Sequence, residues 1–86
     1  MYQVIISRIA EKQLASFPKQ VANNITARID ALATNPRPHG SEKLEGGNKE
    51  YWIRSGDYRI IYRIEDAHLF VEVIRIGNRR DVYKKR

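Results

Sequence analysis

Eighty-six residues without a cysteine carry a net charge of +6, and 42% of them are hydrophobic. The chain is too short for more than one domain, spanning 1–86, and too apolar to be disordered. The absence of cysteine excludes a disulfide framework, a thiolate metal site and a cysteine nucleophile, and fits a reducing, cytoplasmic setting. No stretch approaches the roughly 18 apolar residues of a membrane helix, so no membrane partner is expected. The basic balance points to a polyanionic partner, nucleic acid or an acidic protein, although charge of this size also serves plain solubility.

Residues 2–7 form a short run rich in Val and Ile, expected as a first strand buried on both faces. Ser7 is placed to cap a helix that follows at once. Ala10, Leu14 and Phe17 then recur at i, i+4 and i+7 as one helical stripe. Pro18 ends that helix and suits the first position of the next. Val21, Ile25, Ile29 and Leu32 form the second stripe, which Asn35-Pro36 stops. Two amphipathic helices with a short break need a surface to lie on.

Residues 36–50 read as a loop rich in Pro, Gly and charge, with a brief strand or bulge at Lys43-Leu44. Three apolar segments of strand length follow. Tyr51 to Arg54 is a strand, and Ser55-Gly56-Asp57 is a turn. In the next strand Tyr58, Ile60, Tyr62 and Ile64 share one side, with Arg59, Ile61 and Arg63 on the other. Glu65-Asp66-Ala67-His68 is a hairpin turn, and Leu69 to Ile76 is a strand antiparallel to its predecessor. Gly77-Asn78 is expected to break it, with Asp81-Val82-Tyr83 as a short last strand. The expected class is α+β: an N-terminal strand and a helical hairpin packed on one face of a small antiparallel β-sheet, with the other face free.

The free face carries the chemistry. Arg59 and Arg63 project from a central strand, and Arg54, Arg75, Arg79 and Arg80 lie on adjoining segments. Guanidinium groups among apolar strand residues are costly unless that face meets water or an anion. Their planar forks of donors suit phosphate, and the rings of Trp52, Tyr58 and Tyr83 suit stacking on unpaired bases. The competing reading is a solvated sheet with scattered arginines. The common enzyme signatures for zinc, serine nucleophiles and nucleotide phosphates are missing. His39 and His68 are the only histidines, and both read as exposed loop residues rather than a catalytic base. RNA cleavage suits such a set, because the 2′-hydroxyl is already in the substrate and cations stabilise the phosphorane.

These residues resemble a known pattern. Gly56-Asp57-Tyr58-Arg59-Ile60-Ile61-Tyr62, followed by Val73-Ile74-Arg75-Ile76-Gly77-Asn78-Arg79-Arg80-Asp81-Val82-Tyr83, is similar to the C-terminal signature of the RelE/ParE toxin superfamily, and of its RelE branch in particular. Leu14 to Pro18, Asn35-Pro36 and Lys43-Leu44-Glu45-Gly46 add to the likeness, which spans essentially the whole chain. The resemblance implies a RelE-like fold and a toxin of a type II toxin–antitoxin pair. Such a toxin enters the ribosomal A site and cuts mRNA as an endoribonuclease, inhibiting translation with no metal and no cofactor. The implied partners are a cognate antitoxin, in a hetero-oligomer, and the ribosome with its rRNA and mRNA.

Position by position, Arg59 is similar to the arginine that stabilises the reacting phosphate. Arg79 is similar to the second active-site arginine, and Tyr83 to the C-terminal tyrosine near the 2′-hydroxyl or a base. Arg54, Trp52, Arg63, Arg80 and Lys84 complete the candidate RNA-binding set. Some relatives carry lysines at the positions of Glu50 and Trp52, and many carry histidine at that of Asn78. No C-terminal helix is expected after Tyr83. For the proton acceptor, Glu42 and Glu50 have two readings, a catalytic carboxylate or an ordinary surface-loop glutamate. Two further functions share the pattern: a ParE-type toxin that inhibits DNA gyrase, and a catalytically impaired RelE-like module that only binds.

Overall fold

The computed structural model describes residues 1–46 and 49–78. Within them the chain runs β1 (Gln3–Ile6), α1 (Arg8–Ser16), α2 (Lys19–Ala31), β2 (Glu42–Lys43), β3 (Glu50–Ser55), β4 (Tyr58–Glu65) and β5 (Phe70–Asn78). A 3-10 turn at Asp66–His68 links β4 to β5. The sheet order is β1-β5-β4-β3-β2, with both helices on one face. The expected α+β architecture forms, with one difference. β1 pairs parallel with β5, so the sheet is mixed. Short turns fix only the orientation of consecutive strands. The partner of β1 lies far along the chain, with Gln3 paired to Phe70, beyond the reach of turn logic.

β1 also differs in burial. It is an edge strand whose exposure alternates, with Gln3 and Ile5 exposed and Val4 and Ile6 packed against the core. An edge strand over a one-sided core has one apolar face to hide, so the second face expected to be buried meets solvent. The described final strand of the meander runs on through Gly77 and Asn78, where a break was expected. Pairing of Gly77 with Arg59 and of Asn78 with Tyr58 holds the backbone extended there. The short strand expected at Asp81-Val82-Tyr83 lies outside the described residues.

The helices form where the stripes place them. Ala10 is fully buried, and Leu14 and Phe17 pack beside it. Ile25, Ile29 and Leu32 are fully buried from the second stripe. Pro18 occupies the N-cap of α2 and accepts from the Ala22 N–H at 2.9 Å. The sheet answers with Ile53, Ile60, Tyr62, Ile64, Val71, Val73 and Ile76. Burial of these branched side chains, each worth roughly 1.5–3 kcal/mol, is the main force holding the hairpin to the sheet.

Register in β5 is broken once. Ile61 pairs with Arg75, but the next residue of β4, Tyr62, pairs with Val73, leaving Ile74 as the extra residue of a β-bulge. Ser7 secures it. Its Oγ accepts from the Ala10 N–H at 3.1 Å, capping α1, and donates to the Ile74 carbonyl at 2.6 Å. Its backbone N–H donates to Val73 at 3.0 Å. Gln13, one and a half turns along α1, accepts from the Ile76 N–H at 2.7 Å. The start of α1 is therefore bound to the upper half of β5.

At the other end of the sheet the long loop is tied down through Tyr62. Its ring is fully buried and stacks on Tyr51 at 6.1 Å, and its hydroxyl donates to the Pro36 carbonyl at 2.8 Å. Arg37 beside it donates to both Asp66 carboxylate oxygens, at 2.8 and 3.4 Å, and to the Tyr51 hydroxyl at 3.2 Å. Tyr2 donates to Asp66 Oδ1 at 2.6 Å. The Arg37 guanidinium, aided by the Tyr2 hydroxyl, holds the Asp66 carboxyl below its ordinary range.

Burial pushes the Tyr62 hydroxyl up to about 12. A folded-state value above the unfolded one means stability that is complete below pH 10 and lost as pH rises toward 12. Tyr62→Phe should cost about 1–2 kcal/mol at neutral pH, because the buried Pro36 carbonyl loses its donor. The wild-type advantage should shrink between pH 10 and 12. Urea denaturation midpoints of both proteins across that range check this.

Candidate nucleic-acid interface

Strand alternation sends a second set of side chains to the face that carries no helix. Cross-strand register arranges them in three rungs. The first holds Arg54, Arg59 and Gly77, the second Trp52, Ile61 and Arg75, and the third Glu50, Arg63 and Glu72. Glu42 extends the second rung through its pairing with Trp52, and Ile5 extends the third beside Glu72.

The third rung is neutralised internally. Arg63 lies 3.1 Å from Glu72 and 3.5 Å from Glu65, with its guanidinium 5.3 Å from the Phe70 ring. Lys49 reaches Glu65 at 2.8 Å. The Lys49 hydrogen bond chiefly, with His68 and Arg63 adding to it, holds the Glu65 carboxyl below its ordinary value of 4.5. Arg63 was expected to bind RNA, but its fork is already engaged by two carboxylates.

The first two rungs are cationic. Arg54 and Arg75 are exposed and, among the described residues, form no ion pair. Arg59 is 8% exposed, and its guanidinium sits 3.9 Å from the centroid of the Trp52 ring. Ile61 is buried between them as an apolar floor. Gly77, which has no side chain, lies directly across from Arg59. The result is a patch bearing three guanidinium groups, a type of side chain whose planar fork of donors suits phosphate oxygens.

The structure thus brings Arg54, Arg59 and Trp52 together and sets Arg63 one rung away. Arg79, Arg80, Tyr83 and Lys84 lie outside the described residues. Tyr58, read as a stacking ring, instead faces the helices and packs on Phe17 at 4.8 Å. Glu42 and Glu50 sit in strands β2 and β3, and both face the helix-free side. They are therefore not loop residues, as one reading had them. Arg75 was named with the arginines of this face but left out of the final RNA-binding set, yet it pairs with Ile61, one rung from Arg59. The signal for it was the phase slip in Val71-Glu72-Val73-Ile74-Arg75-Ile76, where apolar residues stop alternating. His39 and His68 are both exposed. Among the described residues no three metal-ligating side chains converge.

This fold and this chain match known proteins. The family described as the ParE toxin of type II toxin–antitoxin systems, parDE, matches residues 4–83. The chain belongs to the RelE/ParE toxin superfamily. It is 44% identical over 85 residues to Toxin RelG of Mycobacterium tuberculosis, covering 98% of both chains. It is 31% identical over 84 residues to Toxin RelE of the same organism, covering 96% of this chain and 87% of that protein. Among solved structures, the archaeal RelE–RelB complex from Pyrococcus horikoshii aligns with a TM-score of 0.81 and 30% identity, over 91% of this chain and 94% of that one. The present protein is a RelE-family toxin on these grounds, with the same two-helix, one-sheet fold.

The internal network gives the toxin a specific acid response. Because the folded-state value of Glu65 is lowered, its contribution is present above the ordinary carboxylate range and lost as pH falls through the folded value. Glu65→Gln should destabilise the toxin at pH 7 and lose less further stability than wild type between pH 5 and pH 3. Urea denaturation at the three pH values checks this.

Proposed function

We propose that this toxin is a ribosome-dependent endoribonuclease that cuts mRNA in the A site, inhibits translation, and is neutralised by a cognate antitoxin. The observation that carries the reading is the pair of cationic rungs on the helix-free face, Arg54, Arg59 and Arg75 around Ile61. A gyrase inhibitor that binds protein has no need of such a phosphate site. The Pyrococcus horikoshii relative was solved with RelB. That supports an antitoxin partner here, and a net charge of +6 favours an acidic one. The reading places the toxin in the cytoplasm, where ribosomes and antitoxin are met.

In this mechanism the RNA lies across the open face with its backbone over Arg54, Arg59 and Arg75. The 2′-hydroxyl attacks the adjacent phosphorus, and charge grows on the non-bridging oxygens as the phosphorane forms. Arg59, already fixed before substrate arrives, stabilises that charge without reorganising. Arg79 and Tyr83 take part by their likeness to the family's second arginine and C-terminal tyrosine. Arginine and tyrosine titrate far above neutrality, so the toxin supplies charge and position more than proton transfer. Its rate then depends on a partner that holds the RNA in line for attack, which is the work of the ribosome. Glu42, on the second rung beyond Trp52, is the carboxylate on the cationic part of the face and the better placed of the two acidic candidates for a proton acceptor.

Primer extension on mRNA after induced expression tests the reading. Wild type should give cuts within codons, and Arg59→Ala should reduce them by about a hundredfold or more, the scale of losing one transition-state donor. DNA damage signalling without mRNA cuts would favour gyrase inhibition, and no effect on growth would favour a binding module. On purified ribosome-bound mRNA, Arg75→Ala should weaken binding and lower the slope of log affinity against log salt by about one.

A further inference from the structure

The third rung orders its charges in a way that opposes a phosphate there. Arg63 is the middle member, with Glu50 directly across on β3 and Glu72 directly across on β5. Its Nη2 lies 3.1 Å from Glu72 Oε1, and its Nη1 lies 3.5 Å from Glu65 Oε1. Lys49 comes closer to that same Glu65 oxygen, at 2.8 Å. Glu65 is therefore shared between two cations, and Glu72 is the nearer carboxylate to Arg63. Glu50 forms no ion pair among the described residues. This half of the face thus sets Glu50, Glu65 and Glu72 against Lys49 and Arg63.

A phosphate approaching Arg63 would have to displace Glu72 and then lie beside further carboxylates. Exchanging one oxyanion for another on the same guanidinium gains little, and the repulsion from the remaining negative charges stays. Nothing else keeps RNA away. The Arg63 and Glu72 side chains are 33% and 35% exposed, so the guanidinium is within reach of solvent. By contrast, Arg54 and Arg75 are exposed and form no ion pair among the described residues. On this face the adjacent carboxylate is what separates Arg63 from the arginines open to a phosphate.

We propose that Glu72 is a specificity-determining residue that withholds Arg63 from RNA and so limits the toxin's own hold on free single strands. The proposal rests on the RNA-cleavage reading given above. Affinity for a nucleic-acid backbone grows with each phosphate neutralised. An interface that stops at the second rung engages few phosphates, so RNA already held by a ribosome is the favoured substrate. Glu72 has no part in the chemical step, and cleavage on ribosomes continues without it.

The test measures binding of a short single-stranded 2′-O-methyl RNA over a salt series. Methylation blocks the attacking hydroxyl, so binding alone is read. The proteins are wild type, Glu72→Gln, the double variant Glu72→Gln/Arg63→Ala, Arg75→Ala and Asp30→Asn. Asp30 is exposed on α2, and its substitution changes net charge by the same amount as Glu72→Gln. Urea denaturation confirms that each is folded. Glu72→Gln should bind more tightly at low salt and steepen log affinity against log salt by about 0.7, the value for one further phosphate on a single strand. The double variant and Asp30→Asn should keep the wild-type slope. Glu72→Gln should also cut free mRNA severalfold faster than wild type, with cleavage of ribosome-bound mRNA at the wild-type level.

A wild-type slope in Glu72→Gln, a gain that survives Arg63→Ala, or an equal gain in Asp30→Asn would each overturn the proposal. So would lost cleavage of ribosome-bound mRNA in Glu72→Gln, which would give the carboxylate a part in the reaction. The RNA-cleavage reading survives all of these as long as wild type cuts mRNA on ribosomes and Arg75→Ala lowers the salt slope. A wild type that cuts no RNA on ribosomes overturns both.

Discussion

One extra residue in β5, Ile74, sets which side chains meet the helices and which face away. Strict alternation from Val71 and Val73 would carry Arg75 and Gly77 into the core and turn Ile76 outward. The bulge shifts the phase by one, so Ile76 is buried at 1% exposure and Arg75 stands beside Ile61 on the open face. A strand with one buried face fixes its register strongly, since a slip of one residue exchanges every side chain between faces. Core packing and the cationic patch are therefore outcomes of the same local irregularity. Ser7 stabilises it by bonding the Ile74 carbonyl while capping α1, which couples the first helix to the phase of the last described strand.

The open face divides its charged side chains into two halves. Toward the β4–β5 connection, Lys49, Arg63, Glu65 and Glu72 neutralise one another in a network. Toward the β3–β4 turn, three arginines are gathered, with an aromatic ring and an isoleucine between them. Exposed ion pairs contribute little each, about 0–1 kcal/mol, so the network's main effect is to confine positive potential to one half of the face.

Much of this was legible in the residues. The helical stripes, the Ser7 cap and the alternation of Tyr58 to Ile64 follow from periods of 3.6 and 2, and the structure keeps all of them. The Gly56 turn was marked by its residue type, and Gly56 has the positive φ of 61° that glycine favours. What periodicity missed was non-local. Parallel pairing of β1 depends on a strand at the far end of the chain, and strand continuity through Gly77 depends on its neighbour β4. Within the site, the type of each residue was readable but its partner was not. Trp52 and Arg59 are seven positions apart in sequence, and only cross-strand register places a ring under a guanidinium. Likewise nothing in Arg63 itself indicates that Glu65 and Glu72 engage it.

The upper half of β5 has a further consequence, for association. β1 ends at Ile6, so beyond that point the outer edge of β5 has no strand beside it among the described residues. Its Ile74 carbonyl and Ile76 N–H are taken instead by two side chains, Ser7 Oγ and Gln13 Oε1. An unpaired strand edge is a template for adding a foreign strand, and natural sheets blunt such edges. Here a helix provides the blunting, with a hydroxyl and an amide imitating the rungs of a missing neighbour. Ser7 and Gln13, which tie α1 to β5, thereby leave neither of these two backbone groups open to a further strand.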